Sequence, residues 1–185
     1  MKLKQYLIFE EIRELLSELA LDAAIEFAED MHKGQVRKDS RPYVIHPKAV
    51  YSILRSFKVT DKVLLISAWL HDTIEDTSAT FNIIKRKFNK ETAELVKSVT
   101  SDSKEIVAIG KPKYLLNKML NMTDAALTLK LADRLHNVTD ISKMPKDKQE
   151  NLRGQTEYIL DGLREKRSLS KIQKKIIKAI EQYLR

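Results

Sequence analysis

His71 and Asp72 stand side by side at the end of the most apolar stretch of the chain, Val63 to Leu70. A carboxylate beside an imidazole at the end of a buried helix is costly to desolvate, unless the two are hydrogen-bonded to each other or hold a cation. Both readings fit an isolated His-Asp dipeptide, so other residues must separate them. Asp133 lies between aliphatic residues about 60 positions downstream, in Leu129-Lys130-Leu131-Ala132-Asp133-Arg134-Leu135-His136-Asn137. By itself it reads as an ion pair with Arg134 or Lys130. His46, between Tyr43-Val44-Ile45 and Pro47, reads by itself as a packing histidine, and Glu75-Asp76 as a solvated helix terminus. The chain has no cysteine, which excludes disulfides, thiolate zinc sites and cysteine nucleophiles; any metal must be held by histidines and carboxylates.

These residues need a helical scaffold, and the periodicity supplies one. Apolar positions Leu7, Ile8, Ile12, Leu15, Leu16 and Leu19 share one side of a helix over Tyr6 to Leu19, and a second helix follows around Leu21 to His32. Gly34 to Pro47 reads as an irregular loop, with Tyr43 to Ile45 extended and Pro47 in the first turn of the next helix. Val63 to Leu70, apolar almost all round, should be the most buried helix and runs directly into His71-Asp72. Thr77 or Ser78 can cap the helix with Phe81, Ile84 and Phe88, Asn89 the next, and Thr123 a helix to about Val138 that carries Asp133. Ser101 to Pro112 reads as a loop. Helices near Lys146 to Leu163 and Ser170 to Leu184 close the chain, the latter opened by the capping-box pattern Ser170-x-x-Gln173.

Eight to ten helices without strand alternation predict an all-α, compact multi-helix bundle, with residues 1–185 forming one domain. Four glycines and four prolines are too few for a many-turned β-sandwich, and 43% hydrophobic with 32% charged residues suits a globular core. No apolar run reaches membrane-spanning length, and the start of the chain lacks an unbroken signal-peptide core, so the expected location is cytoplasmic, with no membrane partner. The net charge of +8 favours anionic partners. Much of it lies in the tail, where Lys171, Lys174, Lys175 and Lys178 alternate with Ile172, Ile176, Ile177 and Ile180, the pattern of a solvated basic face rather than a nucleic-acid surface.

Four segments in a fixed order carry a further signal: His32-Lys33-Gly34-Gln35-Val36-Arg37-Lys38, Pro42-Tyr43-Val44-Ile45-His46-Pro47, Ala68-Trp69-Leu70-His71-Asp72-Thr73-Ile74-Glu75-Asp76-Thr77, and Lys130-Leu131-Ala132-Asp133-Arg134-Leu135-His136-Asn137. Together they resemble the HD-domain hydrolases of the RelA/SpoT-type alarmone synthetase/hydrolase enzymes and their small stand-alone relatives. The resemblance spans roughly Ala20 to Asp140.

It implies that His46, His71, Asp72 and Asp133 bind one divalent ion, commonly Mn²⁺. Two imidazoles and two carboxylates suit a six-coordinate borderline cation without singling out Mn²⁺ over Fe²⁺, Co²⁺ or Zn²⁺. Glu75 and Asp76, one turn on, are implied as the catalytic groups that orient or deprotonate water attacking phosphorus. The implied reaction is removal of the 3′-pyrophosphate from guanosine tetra- or pentaphosphate. Arg37 and Lys38 would hold polyphosphate, Arg suiting bidentate contact or base stacking. Asn137 matches a nucleoside-contacting position and Tyr158 is a further candidate for that pocket, while His32 and His136 read as supporting residues.

Ser40 departs from the family, which usually has glycine there, and this bears on loop conformation and substrate fit. Two alternatives keep the fold: a phosphatase for another nucleotide, such as a deoxynucleoside monophosphate or a nicotinamide cofactor phosphate, and a non-catalytic alarmone-binding module. The second would be marked by loss of a metal ligand or of Glu75-Asp76, and all six residues are present.

Overall fold

A computed structural model describes residues 2–37 and 40–185. Among these residues the fold is all-α: α1 (Lys2–Met31), α2 (Ile45–Ser56), α3 (Lys62–Leu70), α4 (Thr73–Asp76), α5 (Phe81–Lys87), α6 (Lys90–Val99), α7 (Ser103–Ile109), α8 (Lys111–Leu120), α9 (Asp124–Thr139), α10 (Lys146–Lys166) and α11 (Lys171–Leu184). A 3-10 turn, Ile141–Lys143, joins α9 to α10.

The caps are chemically explicit. Asp61 accepts from the Leu64 amide at α3, Asn89 from Thr92 at α6 and Thr123 from Ala126 at α9, each satisfying an amide without an intrahelical partner. Ser170 and Gln173 form the full capping box of α11. α2 ends in a Schellman motif: the Val59 amide donates to the Leu54 carbonyl and the Lys58 amide to the Arg55 carbonyl. Lys58 takes the left-handed position there, at φ 63°.

Four local expectations are corrected. The helices expected over Tyr6 to Leu19 and Leu21 to His32 are one, α1; the apolar side shifts near Ala20, but no glycine or proline interrupts the chain. Tyr43 to Ile45 is not extended: Val44 is in the right-handed helical region (φ −55°, ψ −20°) and α2 already begins at Ile45. Pro47 is accommodated because amides of the first turn need no intrahelical acceptor. The cap of α5 is Thr80, accepting from Ile83, while the Thr77 hydroxyl donates back to the Thr73 carbonyl and closes α4. Within the expected loop from Ser101 to Pro112, Asp102 accepts from the amides of Lys104 and Glu105 and nucleates α7. Among the described residues the α-helices number eleven, α4 being a single turn.

α3 explains its all-round apolarity by sitting between two clusters. Leu64, Leu65 and Ala68 face the larger core, with Leu54, Leu127, Leu131, Leu160, Ile176 and Ile180 from α2, α9, α10 and α11. Ile66, Trp69 and Leu70 face a smaller core, with Ala24 and Ala28 of α1, Ile84 of α5 and Val96 of α6. Burying a Leu or Ile is worth about 1.5–3 kcal/mol, so α3 is pinned from both sides. Its C-terminal end, where His71 and Asp72 lie, has little freedom to move.

Candidate metal centre

Three helices meet at the candidate site. His46 comes from the first turn of α2, His71 and Asp72 from the junction of α3 and α4, and Asp133 from the middle of α9. The Nε2 atoms of His46 and His71 are 3.2 Å apart. Asp72 Oδ2 is 3.3 Å from His46 Nε2 and 3.2 Å from His71 Nε2, and Asp133 Oδ1 is 3.3 Å from His46 Nε2. Both imidazoles are buried.

The tautomers follow from the partners. The Ala68 carbonyl can only accept, so His71 Nδ1, 2.8 Å away, carries the hydrogen and donates. His71 Nε2 therefore presents a lone pair to the centre. His46 Nδ1 lies 2.6 Å from His136 Nδ1. Burial, then the charges of His46 and Arg37, lower the His136 pKa to about 4, so this ring is neutral and can accept from His46. Nε2 of His46 then also faces inward, opposite another lone pair and beside two carboxylates. Such an arrangement calls for a positive charge between the donors, either a proton or a metal cation.

The electrostatics agree. Burial pushes the His46 pKa down, but hydrogen bonds with the Asp133 and Asp72 carboxylates outweigh it and raise the pKa to about 9. Burial raises the Asp72 pKa, yet the charges of His71 and His46 hold its carboxyl well below the usual range. Asp133 is likewise lowered against its burial, chiefly by Lys130. Lys130 Nζ lies 3.0 Å from Asp133 Oδ2, so of the two cations anticipated as partners of Asp133 it is Lys130, not Arg134, that makes the ion pair. The donor set fits a divalent cation: two imidazole nitrogens and two ionised carboxylates, with His46, His71 and Asp133 offering ligand atoms within 4.8 Å of one another.

The remaining anticipated residues fall at different distances from this centre. Asp76 is joined to it through Tyr43, whose hydroxyl lies 2.6 Å from Asp72 Oδ2 and 2.8 Å from Asp76 Oδ2. Burial and these two carboxylates push the Tyr43 phenol far above its ordinary range, so it stays a donor. Glu75 Oε2 accepts from the Ser101 amide at 2.7 Å, tying α4 to the approach to α7. Asn137 Nδ2 donates to Asp133 Oδ1 at 2.6 Å, one helical turn along α9. Arg37 is half-buried, near enough to His136 and Asp140 for its charge to act on both. Lys38 lies outside the described residues. Tyr158 is half-exposed in a separate open groove with Ile109, Pro112, Lys113 and Gly154, lined by none of the four candidate ligands.

Residue-type reasoning did not single out Tyr43. The signal was its fixed place three residues before His46, which on the turn entering α2 stacks its ring on His32 with centroids 4.6 Å apart. His32 Nδ1 in turn lies 2.8 Å from Gln35 Oε1, and Gln35 Nε2 donates to the Asp76 carbonyl. The segment before α2 is thereby fastened to α4.

Comparison with known proteins places this geometry. A profile described as "HD domain" matches residues 24–168. The chain belongs to the HD-domain family. Within this HD domain, 128 residues are 37% identical to a Xenopus tropicalis protein named guanosine-3′,5′-bis(diphosphate) 3′-pyrophosphohydrolase MESH1, covering 68% of this chain and 70% of that one. The bifunctional (p)ppGpp synthase/hydrolase SpoT of Escherichia coli K12 is 36% identical over 136 residues, which cover 70% of this chain but 19% of SpoT. The HD domain thus spans about a fifth of the long bacterial relatives it matches. Its fold superposes with a TM-score of 0.75 on a solved structure described as a metazoan ortholog of SpoT that hydrolyses ppGpp, at 25% identity over 88% of this chain and 94% of that one.

Proposed function

We propose that this HD domain is a metal-dependent guanosine-3′,5′-bis(diphosphate) 3′-pyrophosphohydrolase, releasing pyrophosphate and GDP or GTP. The observation that carries the reading is the meeting of His46, His71 and Asp133 within 4.8 Å of one another, with Asp72 Oδ2 against both imidazoles and the carboxylate of Asp76 linked to Asp72 by Tyr43. The names of the relatives, MESH1 and SpoT among them, support the substrate.

His46, His71, Asp72 and Asp133 would hold the ion, with Mn²⁺ the proposed occupant. Bound there, a divalent cation supplies Lewis acidity toward water and the phosphoryl oxygens. In the hydrolysis the water oxygen bonds to the phosphorus of the 3′ ester, that P–O bond breaks, and the 3′ oxygen takes up a proton. Glu75 or Asp76 accepts the proton of the water. Each has one oxygen engaged, by the Ser101 amide and the Tyr43 hydroxyl respectively, which orients the other. Arg37 and Lys38 are proposed to hold phosphate, with Asn137 on the nucleoside side; Tyr158, in its separate groove, is not proposed for this pocket. A cytoplasmic location is proposed with this substrate; among the described residues no helix is long and apolar enough to cross a membrane.

The test is hydrolysis of guanosine 3′,5′-bis(diphosphate) with Mn²⁺, with and without chelator, products separated by chromatography. Wild type should yield pyrophosphate and GDP in a chelator-sensitive manner. Asp72→Ala should abolish turnover, and Arg37→Ala should raise KM. Absence of turnover by the metal-loaded wild type would overturn the reading and direct attention to other phosphorylated nucleotides.

A further inference from the structure

The first half of α1 carries an apolar surface that nothing in the fold covers. Tyr6, Leu7, Ile8, Phe9, Ile12, Leu15, Leu16 and Leu19 are all between 47% and 64% exposed. At 100° per residue, Ile8, Phe9, Ile12, Leu15, Leu16 and Leu19 fall within an arc of about 120°. Glu10, Glu11, Arg13, Glu14 and Glu18 lie on the rest of the circumference, together with Tyr6 and Leu7. Further along the same helix the buried Ala24 and Ala28 meet the smaller core, and they lie roughly 120–160° around the axis from the middle of that arc. The stripe is therefore centred well away from the face that holds α1 to the domain and meets it only along the Phe9 edge, where Phe27 packs on the smaller core further along. It also precedes the HD-domain match, which starts at residue 24.

We infer that this stripe is the interface of a two-fold dimer, in which the first half of α1 pairs antiparallel with its copy. Ile8, Ile12, Leu15 and Leu19 are spaced 4, 3 and 4 residues apart, the alternation that lets a helix seam interlock with another. Run antiparallel, Ile12 meets the partner's Leu15 and Ile8 meets the partner's Leu19, giving four layers. Phe9 and Leu16 widen the seam on one side.

Area points the same way. Side chains of this size at about half exposure present roughly 100 Å² each, so the six-residue stripe offers about 600 Å² per copy and a pair buries about 1,200 Å². That is the lower bound for a specific interface, and the roughly 600 Å² on each copy stands at the top of the range that a monomer's largest apolar patch commonly shows. The other large apolar residues that are exposed are Val36 on the loop before α2, Val107 and Ile109 on α7, Tyr158 on α10 and Tyr183 on α11; Ile109 and Tyr158 share the open groove described above, and no one helix carries more than two of them. Among the described residues, the apolar face that a second copy can offer to match the stripe is therefore the stripe itself, which makes the contact isologous and self-limiting. A lipid surface fits less well, because the first 19 residues carry four glutamates against Lys2, Lys4 and Arg13 and so lack the net positive charge that draws a helix to anionic headgroups.

The test is the mass of the full chain in solution, by light scattering and sedimentation over a range of concentrations. The expected mass is twice the 21.4 kDa of one chain, falling to one chain in Ile12→Glu/Leu15→Glu with hydrolase activity per chain unchanged. A cysteine-free background makes the arrangement directly readable. Ile12→Cys/Leu15→Cys should cross-link between chains with a 12-to-15 bond on mild oxidation. A wild type that is monomeric at every concentration overturns the inference, as does a dimer that the double glutamate variant leaves intact. Monomeric wild type that co-sediments with vesicles of equal parts phosphatidylcholine and phosphatidylserine would also overturn it, and assign the stripe to lipid.

Discussion

His46 Nδ1 lies 2.6 Å from His136 Nδ1, so one histidine of the candidate metal centre is oriented by another that contributes no ligand. The neutral His136 ring accepts the His46 Nδ1 hydrogen and leaves His46 Nε2 to face His71, Asp72 and Asp133. Replacing it by Phe removes the acceptor and frees the imidazole to adopt the other tautomer. We predict that His136→Phe lowers Mn²⁺ affinity by about 10–100-fold, measured by calorimetry on the metal-free protein. His136→Asn, whose side-chain oxygen occupies a similar place, should recover part of it. Equal affinity in wild type and His136→Phe would remove His136 from this role.

The metal-free protein should lose stability as pH rises. The His46 pKa is raised to about 9 in the folded chain against about 6.5 when unfolded. A raised pKa contributes stability in full below 6.5 and loses it progressively up to and through 9. Asp72 and Asp133 are depressed, so their contribution is present above about pH 4 and is lost only below it. In chelator, Tm should therefore fall between pH 6.5 and 9. With metal on His46 Nε2 there is no proton to lose, and the decline should flatten; a chelated protein with constant Tm across this window would contradict the assignment.

Ser40 occupies a left-handed backbone position, φ 64°, within the turn where the Ser40 amide donates to the Arg37 carbonyl and the Arg37 amide to that of Arg41. The turn thus keeps the conformation a glycine would adopt while carrying a side chain. Ser40→Gly should stabilise by about 0.5–1 kcal/mol, seen as a raised urea midpoint with unchanged slope. A lowered midpoint would show that the Ser40 side chain contributes more than its backbone costs.

Gly162 on α10 faces Leu116 of α8 so closely that a Cβ there would come within 2.8 Å of Leu116 Cδ1, and nearer still to Cδ2. Leu116 is buried and cannot swing into solvent. Gly162→Ala gains helix propensity of about 1 kcal/mol but overpacks the contact by about 1–3 kcal/mol, so a net loss is expected in urea unfolding. The loss should largely disappear in a Leu116→Ala background. If it persists there, the contact is not its cause.

How much of this was legible beforehand differs by element. The buried character of α3 was plain because an all-round apolar helix has nowhere else to sit, and the caps at Asn89, Thr123 and Ser170 were readable because each supplies an oxygen to a known amide. α7 was missed because its signal is a single capping Asp102 ahead of a half-polar turn. The partner of Asp133 stayed open in the sequence, since Lys130 and Arg134 both lie within a helical turn of it and only packing selects between them. Tyr43 escaped notice because its role depends on Asp72 and Asp76 arriving from another helix. The exposed side of α1 was visible as a stripe, but periodicity reports a face and not what lies against it.

The four candidate ligands come from α2, α3 with its junction to α4, and α9, segments that the chain brings together only when both cores have formed. The unfolded chain has no such cluster, so a cation that binds it binds the native state alone. At a concentration one hundred times its Kd it would add about 2.7 kcal/mol to the stability of the whole domain. Metal supply would then govern how long this protein survives proteolysis in the cell as well as whether it turns over.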